Sequence, residues 1–159
     1  MSKKPSIALI NTGTSNIRSV YYALTECNAD VTYIKNFSDA KKKIDAIVVP
    51  GIGNFSFVMN KLKEEKLDKL IYDKIDSKIP SFFICVGMQI LFSISYEFGT
   101  HEGLGVFKGE VKKIYDTQSS GERRVVPFIG WNKLIKNKKC AILDGISEND
   151  FFYFTHSFF

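Results

Sequence analysis

Histidine and cysteine are scarce in this chain. Among its 159 residues there are two histidines, His101 and His156, and three cysteines, Cys27, Cys85 and Cys140. The cysteines are far apart and odd in number. That argues against a disulfide framework and a zinc site, and for a reducing compartment. No metal and no cofactor are expected. No apolar run approaches the roughly 18 residues that a membrane-crossing helix needs. The first residues, Met1-Ser2-Lys3-Lys4-Pro5, lead straight into a strand-like segment without a signal-peptide pattern. A cytoplasmic protein with no membrane partner is expected.

What is present is ordinary for a globular chain. Hydrophobic residues make up 45% and charged residues 25%, enough for one domain, residues 1–159, with a real core. The net charge of +5 comes with short lysine groups, Lys41-Lys42-Lys43 and Lys136 with Lys138-Lys139. No nucleic-acid module accompanies them, so they read as a solvated surface and no nucleic-acid partner is expected. A basic surface for a phosphorylated substrate or an acidic partner stays open.

Ser6 to Ile10, Val31 to Ile34, Asp45 to Val49 and Ser81 to Ile84 read as buried strands. Between them, Ile17, Val20, Tyr21 and Leu24 recur at helical spacing, and Cys27 falls near the end of that face, so it reads as core. Phe57 to Tyr72 carries Val58, Leu62, Leu67, Leu70 and Ile71 at the same spacing, as one broken or two short helices. Continuous apolar strands alternating with helices predict a mostly parallel sheet covered on both faces. Sites in such sheets lie at the carboxyl ends of the strands. Asn11 to Asn16, Pro50 to Gly53 and Cys85 all fall there. Past Phe98, Gly99, Gly103, Gly105, Gly109, Gly121 and Gly130 punctuate short pieces, which predicts an antiparallel extension. Phe151 to Phe159 reads as a strand.

The segment Ile84-Cys85-Val86-Gly87-Met88-Gln89 reads as a strand, a tight turn tipped by cysteine, and a helix. A thiol there projects from a strand end and sits at a helix N-terminus, which favours thiolate. Gly87 lets the chain turn without a side chain in the way. The alternative is a buried core cysteine. A cysteine nucleophile needs an oxyanion site. Pro50-Gly51-Ile52-Gly53 offers one, because glycines can turn backbone N–H groups toward a developing charge, each worth about 3 kcal/mol of barrier. The alternative is a plain strand-to-helix turn.

Further segments extend the pattern. They are Asn16-Ile17-Arg18-Ser19-Val20, Pro50 to Phe55, Cys85 to Phe92, Glu97, Gly103-Leu104-Gly105, Gly109-Glu110-Val111, Gly130-Trp131-Asn132 and Tyr153-Phe154-Thr155-His156-Ser157. In this order they resemble the class I glutamine amidotransferases, which release ammonia from glutamine through a cysteine thioester. Within that family the resemblance is nearest to the glutaminase branch of imidazole glycerol phosphate synthase. It implies a flavodoxin-like α/β fold with Cys85 as nucleophile. Oxyanion donors are then Gly51, Ile52, Gly53 and Val86. Gln89 and Glu97 hold the α-carboxylate and α-amino ends of glutamine, and His156 and Ser157 complete its pocket. Asn11, Asn16 and Arg18 belong to the face that docks a (β/α)8-barrel cyclase subunit as a heterodimer. The pathway implied is histidine biosynthesis.

The chain departs from the family in places. Phe83 stands where a glycine precedes the cysteine by two residues, and Phe128-Ile129 where His-Met precedes Gly-Trp-Asn. The first loop, Asn11-Thr12-Gly13-Thr14-Ser15, lacks the usual tyrosine and second glycine. The family's C-terminal His-Pro-Glu segment has no counterpart. His101 stands beside Glu102, His156 matches an upstream segment, and neither has His-x-Glu spacing. By the resemblance the domain is C-terminally incomplete, and these 159 residues are expected to be inactive alone. Two other readings fit the same residues: an amidotransferase subunit that amidates sugars for surface polysaccharides, and a non-catalytic partner-binding module or inactive fragment.

Overall fold

The computed structural model describes residues 3–40, 43–115, 117, 123 and 125–159. Lys41, Lys42 and Gly121, singled out above, lie outside the described residues. The chain divides into two compact units, Met1–Val111 and Lys112–Phe159.

The first unit is built on a parallel four-stranded sheet. Its strands are β1 (Ser6–Ile10), β2 (Asp30–Ile34), β3 (Ala46–Gly51) and β4 (Ser81–Cys85), in the order β2-β1-β3-β4. The central strands are the buried ones: Ala8, Leu9, Ile10, Ile47, Val48 and Val49 have almost no exposure. Continuous apolar stretches of this kind suit strands covered on both faces. Helix α2 (Phe55–Glu64) buries Phe55, Val58, Met59 and Leu62, an i, i+3, i+4, i+7 stripe. Asn54 caps it, its side-chain oxygen accepting from the N–H groups of Ser56 and Phe57. Helix α3 (Leu67–Asp76) buries Leu67, Leu70 and Ile71. The apolar stretch is therefore two helices, broken at Lys66, which takes a left-handed conformation.

Helix α1 (Ile17–Glu26) has no fully buried residue. Its apolar face is half-buried, and Tyr21 stacks on Tyr33 of β2 with ring centroids 5.0 Å apart. Cys27 is exposed, which corrects its reading as core. It follows the last helical residue as C-cap, and the chain turns at Asn28 with φ 62. The helical period therefore no longer carries the thiol toward the sheet.

After β4 comes one turn of helix, α4 (Val86–Gln89), and then β5 (Phe92–Ser95), β6 (His101–Glu102) and β7 (Phe107–Val111) in the order β6-β5-β7. The β5–β6 pair is antiparallel as expected, but β5 and β7 run parallel. In the second unit β8 (Phe128–Lys133) and β9 (Phe151–His156) form an antiparallel pair of six register positions. Trp131 meets Tyr153 edge-on across it, with centroids 5.5 Å apart. Among the described residues, no helix is long and apolar enough to cross a membrane.

Candidate active site

Three loops of the first unit meet at the carboxyl ends of β1, β3 and β4. Cys85 ends β4 with φ 56 and ψ −121. A non-glycine residue held there costs about 1–3 kcal/mol and survives only where its surroundings enforce it. Here they do. On one side β4 is zipped to β3 up to the pair Gly51↔Cys85. On the other, α4 begins at the next residue. The thiol is exposed. Phe83, two residues back, is a half-buried strand residue paired with Val49, and the elbow forms with it in place.

Gly87 does what was expected of it, leaving no side chain in the way of the turn. The positive φ falls on Cys85, not on Gly87. What Gly87 supplies is absence of bulk: a Cβ there would lie 2.0 Å from the Val49 carbonyl oxygen. A Cβ on Gly51 would lie 2.8 Å from the Gly87 nitrogen. Two bare backbones thus press together and bring the cysteine turn against the start of the Gly51–Gly53 turn. Gly53 takes φ 89, which reverses the chain. Ile52 between them is half exposed. Val86 opens α4, so its N–H has no acceptor within the helix. These are the four positions at which oxyanion donors were expected, set beside the one exposed thiol of this strand end.

Gln89 closes the same helical turn and is 8% exposed. Glu97 follows β5, and its Oε2 accepts the Phe55 N–H at 2.7 Å. The carboxylate therefore sits at the N-terminus of α2, where the helix dipole favours negative charge. Phe55 is the residue at which the glycine turn becomes helix, so Glu97 is bound to the same segment that faces Cys85.

The first loop lies against this segment as well. The Asn11 N–H donates to the Ile34 carbonyl, and the Asn11 side-chain oxygen accepts from Gly13 N–H at 3.0 Å. Asn16 stands at the N-cap of α1 without a side-chain cap bond, and it and Arg18 are exposed. Thr12 was not singled out by its sequence context. It is fully buried and its hydroxyl donates to the Pro50 carbonyl at 2.8 Å. Nothing in the sequence marks it beyond a hydroxyl in a polar loop.

His156 and Ser157 belong to the second unit. The His156 Nδ1–H donates to the Phe158 carbonyl at 3.0 Å, and the Ser157 carbonyl accepts from Ile114 N–H at 2.8 Å. His156 lines a cavity of about 420 Å³ with Ile114, Phe128, Asn132, Phe154 and Phe159. His101 lies on β6, opposite Ser95.

The class-I glutamine amidotransferase family model matches residues 8–159, across both units. The chain belongs to the class I glutamine amidotransferases. Its curated relatives include the imidazole glycerol phosphate synthase subunit HisH of Aquifex aeolicus, 39% identical over 94% of this chain and 70% of that protein. The HisH subunit of Methanocaldococcus jannaschii is 37% identical over 96% and 72%. That of Wolinella succinogenes is 34% identical over 96% and 73%. This amidotransferase thus groups with the HisH subunits, and the sugar-amidating reading gains no support. A solved glutamine amidotransferase superposes with a TM-score of 0.56 at 16% identity, over 67% of this chain and 56% of that one. That likeness shows the fold.

Proposed function

We propose that this amidotransferase is the glutaminase subunit of imidazole glycerol phosphate synthase, converting glutamine and water to glutamate and ammonia for a cyclase subunit in histidine biosynthesis. The observation that carries the reading is the exposed Cys85 thiol on its strained elbow, pressed against the Gly51–Gly53 turn. The Cys85 sulfur attacks the side-chain amide carbon, and the carbonyl electrons move onto oxygen. The N–H groups of the glycine turn and of Val86 stabilise that oxyanion. On collapse the amide nitrogen takes up a proton and leaves as ammonia, and the thioester that remains is hydrolysed by water. Gln89 and Glu97 hold the amino-acid end of the substrate, since an amide NH₂ and a carboxylate have the donor and acceptor capacity it needs. Each proton transfer requires a base near the sulfur.

A chloroketone analogue of glutamine tests the site without needing that base. It is expected to alkylate Cys85 ahead of Cys27 and Cys140, with glutamine protecting. All three thiols are exposed, so selectivity has to come from the pocket and not from burial. Equal labelling of the three, read by peptide mapping, would refute the assignment.

The partner is a cyclase subunit of (β/α)8-barrel architecture in the cytoplasm. It docks over Asn11, Asn16 and Arg18, beside the strand ends, so that ammonia passes without escaping to water. Arg18→Glu reverses a charge on this face and is expected to weaken the heterodimer about tenfold or more. A titration that gives unchanged affinity rules out the docking face.

A further inference from the structure

We infer that Thr12 is a positioning residue for the oxyanion turn, acting through its hydroxyl on the Pro50 carbonyl. The inference rests on the reading of Gly51–Gly53 as the oxyanion turn and deepens it. The β1–β3 ladder ends at the pair Leu9↔Val48. Beyond it the two chains part, and β3 runs on to Gly51 with pairing from β4 on its other side. Proline has no N–H, so its carbonyl is the only backbone polar group Pro50 offers. Toward β1 that carbonyl has no strand residue opposite it.

The Thr12 side chain fills this place. Its Oγ1 donates to the Pro50 oxygen at 2.8 Å across a sequence separation of 38 residues, in a fully buried setting. Thr12 itself is held from both sides. Its preceding neighbour donates to the Ile34 carbonyl of β2, and Asn11 Oδ1 accepts the N–H of the residue that follows. The tether therefore runs from β2 through the first loop to the residue preceding Gly51. At the far end of the turn, Glu97 fixes the Phe55 N–H. Between these two anchors lie Gly51, held on its other side by its pairing with Cys85, and Ile52, Gly53 and Asn54, which set where the donors point. A buried carbonyl left without its donor is costly, so loss of the hydroxyl should release the near end of the turn. Because Thr12 has no exposed surface, it cannot touch a ligand. Any effect it has on the reaction passes through Pro50.

Thr12→Val removes the hydroxyl at nearly constant shape, and Thr12→Ser restores it without the methyl group. The full 159-residue chain is treated with the glutamine chloroketone. The Cys85 sulfur displaces chloride, forming an S–C bond as the C–Cl bond breaks, and the thiol proton goes to solvent. The ketone oxygen occupies the oxyanion position, so the maximal rate reads the turn, whereas half-saturation reads the amino-acid end of the pocket. Thr12→Val is expected to lower the maximal inactivation rate about tenfold with half-saturation unchanged. Its rate with iodoacetamide, which does not fill the pocket, should stay at the wild-type value, and Thr12→Ser should match wild type. Equal maximal rates for wild type and Thr12→Val, or Thr12→Ser as slow as Thr12→Val, would overturn the inference. Amide exchange over residues 51–55 reads the tether with no ligand present. It should quicken in Thr12→Val alone, and unchanged exchange overturns the inference whatever the labelling shows. Failure of the chloroketone to label wild-type Cys85 while exchange responds to Thr12→Val would instead count against the glutaminase reading.

Discussion

Alanine at Gly87 is expected to disrupt the elbow. The added Cβ would stand 2.0 Å from the Val49 carbonyl oxygen, which belongs to the buried centre of β3. Backbone on both sides leaves no flexible side chain to move aside. Overpacking of this kind costs about 3 kcal/mol or more, which for a chain of this size corresponds to a fall in melting temperature of about 10 °C. Cys85 labelling by the glutamine chloroketone should be lost as well, because relief of the clash moves α4 away from the glycine turn. Gly53→Ala is the contrasting case. Open space surrounds its Cβ, and only its φ of 89 opposes a side chain, so about 1 kcal/mol is expected. Thermal melts of the two variants decide the matter. A Gly87→Ala protein that melts with the wild type would show that the close approach does not exist.

The second large effect concerns turnover. The 159-residue polypeptide by itself is expected to release glutamate no faster than its Cys85→Ala variant. Thiol attack and thioester hydrolysis both need proton transfer, which a positioned base speeds by about 10²–10⁴-fold. His101 and His156 are the only histidines. His156 already commits Nδ1 to the Phe158 carbonyl, the nitrogen that an orienting acid would otherwise hold. His101 lies on β6, a strand of two residues. The curated relatives are longer, this chain spanning 70–73% of their length. Glutamate release by the purified chain, with and without the cyclase subunit, is the measurement. Turnover that vanishes in Cys85→Ala would mean that a base exists within these residues.

Much of the first unit could be read from the chain. Apolar strands Ser6 to Ile10 and Asp45 to Val49, and the stripe from Val58 to Ile71, write their burial into their spacing. The strand–cysteine–helix order around Cys85 likewise announced the elbow. Periodicity failed at α1, where the pattern Ile17, Val20, Tyr21, Leu24 is present yet no residue is fully buried. It failed again at Cys27, where the helix had already ended. A period describes a face but not what packs against it.

The sequence by itself determined the alternation of strands and helices, the loops at the strand ends, the family and the place of Cys85 at a strand end. These depend on local spacing and on short ordered segments. Only the tertiary structure decided that Gly87 is needed for contact with Val49, that Glu97 anchors Phe55, and that Thr12 holds Pro50. Each joins residues 38 or more positions apart. No pattern along the chain encodes such contacts, because they exist only once parallel strands have brought distant backbones within hydrogen-bond or van der Waals reach.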